Sequence, residues 1–157
     1  MNKMSLIAFL SFIMLAVSNS AFAVSSADSS NLASRYSASE LSRILKADGY
    51  GSIIKLNDDT LKIKIDGKSY IIFIEDDGDL RSYYGISGVS ISYRGINDWN
   101  QSKRLSRAYL DSDNDPILEA DLLANAGISE KHVTEFFEVF VDSVTEFREF
   151  VNENDQD

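Results

Sequence analysis

Residues 61–74, LKIKIDGKSYIIFI, alternate apolar and polar positions at the period of a half-buried strand, and Asp66-Gly67 breaks the run with the strongest short hairpin signal. A two-residue loop there pairs Ile65 with Lys68, Ile63 with Tyr70 and Leu61 with Ile72. Because cross-strand partners share a face, Leu61, Ile63, Tyr70, Ile72 and Ile74 are expected to line the core. Lys62, Lys64, Ile71 and Phe73 then lie on the other face, which is only partly polar. A strand around Ser52 to Leu56, and one around Leu80 to Ile86 reached through the turn EDDGD, extend the hairpin into a meander.

Elsewhere the period lengthens to that of a helix. SASELSRILKADGYG carries a capping box of Ser37 with Glu40, an apolar set of Leu41, Ile44 and Leu45, and Gly49 placed to end the turn. SISYRGINDWNQS repeats Tyr93, Ile96 and Trp99 at helical spacing behind Ser90 or Ser92, although Gly95 weakens that helix. Two strand-like runs follow, RLSRAYLD and PILEADLL. A long helix from about Ser129 to Asn152 closes the pattern, with Val133, Phe136, Phe137, Phe140, Val144, Phe147 and Val151 in an arc of roughly 100°. Val139 and Phe150 extend that arc on one side and Val141 on the other, opposite Glu135, Glu138, Asp142, Glu146 and Glu149. A wide core contact accounts for the extension. The sharper alternative makes Val139 and Phe150 part of a surface for a partner. The order expected is helix, three strands, helix, two strands, helix: an α+β fold with an antiparallel sheet of about five strands and helices on one face.

Residues 1–23 change the picture of where the protein works. Lys3, the apolar run LIAFLSFIMLAV and the small residues Ala21 and Ala23 make a signal peptide, and that run is shorter than the roughly 20 residues that span a bilayer. Cleavage leaves about 134 residues, enough for one domain. No stable membrane anchor is expected, and the compartment is periplasmic or extracellular in a bacterium. Residues 24–36 read as a flexible serine-rich leader, 37–152 as the folded domain and 153–157 as an acidic tail. With no cysteine, packing alone must supply stability. The formal charge of −10 makes nucleic acid and anionic membranes poor partners.

Candidate chemistry adds little. In YLDSDNDPILEADL, Asp111, Asp113 and Asp115 fit positions one, three and five of a calcium loop, but Pro116 and Leu122 stand where glycine and a bidentate glutamate are required. A hairpin turn explains the stretch better. Gly85 and Gly88 lack the lysine and the strand-to-helix setting of a phosphate loop. His132 is the sole histidine and no GxSxG elbow exists, so no catalytic, cofactor-binding or metal residues are assigned. If the acidic loop holds four residues, Tyr109 pairs with Leu118 and Arg107 falls on the apolar face, where it needs an acidic partner. A register shift or an edge position would leave it wet.

GINDWNQSKRLSRAYLDSDNDPILEADLLANAGIS, preceded by IDGKSYIIFIEDDGDLRS, resembles the YbjN-like domain, a group described as bacterial sensory transduction regulators. The likeness rests on Ile96, Asn97, Trp99, Asn100, Arg104, Arg107, Tyr109, the Asp111 to Asp115 turn, Asp121 and Gly127, and it runs from about Ser37 to Val151. The resemblance implies a fold similar to type III secretion chaperones, a tendency to pair, and no catalytic residues. A non-enzymatic protein-interaction domain without cofactor is therefore expected, chaperone-like or regulatory, acting on a protein partner or as a homodimer. The alternatives are a small-molecule or peptide binder using a cleft near Trp99, and a carboxylate-dependent hydrolase.

Overall fold

The computed structural model describes residues 32–156. The signal peptide and most of the serine-rich leader lie outside the described residues. The first helix, α1 (Ala38–Ala47), starts on the expected capping box: Ser37 Oγ accepts from the Glu40 N–H, and the Glu40 carboxylate accepts from the Ser37 N–H. Strands β1 (Ser52–Asn57), β2 (Thr60–Ile65), β3 (Lys68–Ile74) and β4 (Leu80–Gly85) then form an antiparallel meander. The hairpin keeps the register set by Asp66-Gly67, pairing Ile63 with Tyr70 and Leu61 with Ile72. Both turn residues have positive φ, 49° and 78°, as a two-residue loop of matching twist demands.

Helix α2 (Tyr93–Ser102), strands β5 (Arg107–Leu110) and β6 (Pro116–Leu122), and helix α3 (Glu130–Glu153) complete the chain. Four strands precede α2, the two of the hairpin and the two flanking ones expected around Ser52 to Leu56 and Leu80 to Ile86, one more than the expected order of three counts. The sheet therefore has six strands, in the order β1-β2-β3-β4-β6-β5. Ser92 caps α2. A methyl group at Gly95 would come within 2.9 Å of Ile91, which gives the helix-weakening glycine a packing reason. The sole histidine serves α3 as a cap, its Nδ1 accepting from the Ser129 N–H at 3.1 Å.

The core fills one face of the sheet. Leu61, Ile63, Tyr70, Ile72, Leu80 and Leu118 meet Val133, Phe137, Phe140, Val144, Phe147 and Val151 of α3, all buried. Tyr70 meets Phe137 edge-on at 6.0 Å, and Trp99 of α2 meets Phe147 at 5.0 Å. Such pairs contribute about 0.5–1.5 kcal/mol each beyond the area they bury.

The β5–β6 hairpin departs from the conditional register. Its loop holds Asp111–Asp115, so Tyr109 pairs with Ile117 and Arg107 with Glu119. One residue of shift moves every side chain to the other face, and Arg107 thereby leaves the core face for the helix-free one. The acidic loop is a turn knit by its own first residue: Asp111 Oδ1 accepts from the N–H groups of Asp113 and Asp115, both at 2.9 Å. Upstream, the strand expected over RLSRAYLD stops short. Leu105 adopts φ +67°, which turns the backbone away from β6 before Arg107.

Candidate functional site

Glu119 lies on the helix-free face, directly between Tyr83 of β4 and Arg107 of β5, yet only 3% of it is exposed. Arg81 Nη1 donates to its Oε1 at 2.8 Å and the Tyr109 hydroxyl donates to the same oxygen at 3.1 Å. Arg107 donates twice to Oε2, at 2.7 and 3.1 Å. Arg81 is itself held by Glu75 at 2.7 Å and lies 4.4 Å from the centre of the Phe73 ring. Burial pushes the Glu119 carboxyl up, but the hydrogen bonds from Arg107, Arg81 and Tyr109 outweigh it and hold the group below the usual carboxylate range. Burial, with the Glu119 charge, pushes Tyr109 up to about 12, so the phenol stays a neutral donor. A carboxylate whose two oxygens are both engaged, and which stays ionised at neutral pH, has no proton to give and little basicity to take one. The cluster is a tie across three strands.

The motif residues of α2 do a different job. Asn100 Oδ1 accepts from the Ala108 N–H at 2.8 Å, and its Nδ2 donates to the Ala108 carbonyl at 3.0 Å. One side-chain amide thus occupies both outward-pointing backbone groups of Ala108, standing in locally for a further strand. Trp99 sits inside the core at 1% exposure, its Nε1 without a hydrogen-bond partner among the described residues. The cleft expected near Trp99 corresponds to a cavity of about 370 Å³, which it borders with Lys103, Arg104, Asp142 and Glu146, and a 2.7 Å Lys103–Glu146 ion pair stands in its wall. Asn97 and Arg104 are exposed and belong to neither the Glu119 tie nor the Ala108 seal.

A second hollow, about 350 Å³, opens between β6 and α3. Leu105, Leu122, Phe136, Val139 and Phe140 give it apolar walls, with Asp121, His132 and Glu135 around them. Val139 is 44% exposed there and Leu105 71%. Phe150 stands elsewhere, half-buried with its ring 5.5 Å from that of Trp99. The two residues expected to share one surface thus occupy different surroundings. Glu119, Arg81 and the Asn100 seal escape sequence inspection; the one hint is a glutamate at a strand position flanked by apolar residues.

The architecture defines an α+β domain built on one antiparallel sheet, with one face under helices and a charged tie on the other. Residues 37–153 match the YbjN family, described as "Putative bacterial sensory transduction regulator", and the chain belongs to that family. No curated protein and no solved structure matches the chain.

Proposed function

We propose that this chain is an exported, non-enzymatic interaction domain, regulatory or chaperone-like, that meets a protein partner through the apolar surface around Val139. The observation that carries this is the hollow between β6 and α3, where Val139 and Leu105 stay exposed although the rest of the apolar arc of α3 is packed. Membership of a family described in terms of regulation supports it, and the tied state of Glu119 speaks against acid–base chemistry there. The signal-like residues 1–23 support export to the periplasm or beyond.

A photo-crosslinking residue placed at Val139, and separately at Lys64 on the far side of the sheet, tests this in fractionated cells. A discrete adduct from position 139 in the periplasmic fraction, with none from position 64, is expected. Adducts of twice the chain's mass would identify a homodimer, and equal labelling from both positions would remove the surface. Trp99, which borders a cavity and whose buried Nε1 has no partner among the described residues, favours one further reading, a small polar ligand. It predicts a shift in tryptophan emission on adding that ligand.

A further inference from the structure

A sheet has edges, and each edge of this one is treated differently. On β1 the register shifts between Lys55 and Asn57, and Lys55 projects a charge; both features discourage pairing with another strand. On β5 the Asn100 amide fills both outward groups of Ala108. The third edge is the tail of β6. β5 pairs with β6 only as far as Arg107 opposite Glu119, while β6 continues through Leu122 with β4 alone beside it among the described residues.

Peptide groups alternate sides along a strand. The Asp111 N–H bonds the Asp115 carbonyl toward β5, and the Ile86 N–H bonds the Pro116 carbonyl toward β4. Continuing that alternation, Asp121 turns its N–H and C=O to the side that β5 has left. The β5 register stops at Arg107 opposite Glu119, and among the described residues no backbone group outside the strands bonds these Asp121 groups. Had the hairpin register continued, Leu105 would stand opposite Asp121; its φ of +67° carries the chain away instead. A leucine held in the left-handed region and 71% exposed is costly twice over, in backbone strain and in wetted apolar surface.

We infer that the place vacated beside Asp121 receives an extended segment of another protein, of the pattern apolar–basic–apolar. This rests on the interaction role proposed above and gives it a geometry. A residue pairing with Asp121 shares its face, the helix-free one, where the exposed Asp121 carboxylate favours lysine or arginine. Its neighbours on either side point to the helix face, into the hollow lined by Leu105, Leu122, Phe136 and Val139. Among the described residues no lysine or arginine lines that hollow; the cations paired with its acids are Lys131, 3.5 Å from Glu135, and Arg107, 3.9 Å from Asp121, both in exposed pairs. A second copy is the poorer occupant. Its β1 and β5 edges are guarded, pairing two β6 tails would bring their Asp121 carboxylates close together, and a chain of charge −10 repels itself.

The test is fluorescence anisotropy of the full mature protein with labelled peptides carrying Val-Lys-Val, Val-Glu-Val or Ser-Lys-Ser between Gly-Ser flanks. Val-Lys-Val is expected to bind about fivefold more tightly than Val-Glu-Val, as a cross-strand charge pair dictates, and Ser-Lys-Ser to lose measurable binding. Asp121→Lys should invert the first preference, and Val139→Asp should weaken binding at least about tenfold. Both sites are exposed, and thermal melts confirm that the variants fold. Absence of this ranking, or binding indifferent to Val139→Asp, overturns the inference. So does self-association that Val139→Asp abolishes in the absence of any peptide binding. An adduct from position 139 in cells combined with no peptide ranking would sink the strand geometry and leave the broader interaction role standing.

Discussion

Strand β6 has two halves that behave as different materials. From Pro116 to Glu119 it lies between β4 and β5, both faces are buried, and Glu119 knots it to Arg81, Arg107 and Tyr109. From Ala120 to Leu122 it has one neighbouring strand among the described residues, an apolar hollow on its helix side and an exposed aspartate on the other. The difference is set by a single backbone event at Leu105, which makes β5 begin late, at Arg107. Where the edge is closed, polar groups are paired within the chain and serve stability. Where it is open, they are left for something else.

The closed half of β6 is most vulnerable at Glu119. Replacing it with alanine strands two guanidinium groups and should cost about 3 kcal/mol, at the low end for a broken buried pair because the Arg107 side chain is 60% exposed. Urea denaturation measures this. Since the folded carboxyl titrates below its ordinary range, its stabilising contribution is present above the unfolded-state value and disappears as the pH falls through the folded one. The melting temperature should therefore drop on acidification, and Glu119→Gln should show a shallower acid slope than the parent. An identical slope would mean that the tie is not ionic.

Asn100→Ala comes next. It uncovers the Ala108 N–H and C=O at the rim of the sheet, where water replaces the lost bonds, so about 1 kcal/mol of stability is expected to go. The sharper sign is a new tendency to pair through β5, read by sedimentation against concentration. Smallest in size and opposite in sign is Leu105→Gly. It relieves a left-handed leucine and should raise stability by up to about 1 kcal/mol, while weakening capture of an extended peptide. A loss of stability there would show that Leu105 packs more than its exposure suggests.

Which parts of this were readable beforehand follows from range. The 61–74 hairpin was legible because alternation and Asp66-Gly67 act within a few residues and agree with each other. The two faces of α3 were legible for the same local reason. The β5–β6 register was not: it depends on whether the loop holds four residues or five, and Asp, Ser and Asn suit both. Glu119 in PILEADLL reads as a solvated residue until Arg81, 38 positions earlier, is brought beside it by the strand order. Asn100 gives no sign of its partner, since only the docking of α2 on the sheet edge places it by Ala108. Val139 and Phe150 extend the same helical arc, and only the position of Trp99 separates them, by covering Phe150.

Everything distinctive here depends on the peptide groups of Asp121 being free of the sheet while those of Glu119 are not. Amide hydrogen exchange, resolved by residue in the isolated protein, measures that directly. Asp121 is predicted to exchange at least about a hundredfold faster than Glu119 under native conditions; equal protection of the two amides would show that the tail of β6 is already paired, and would contradict the account.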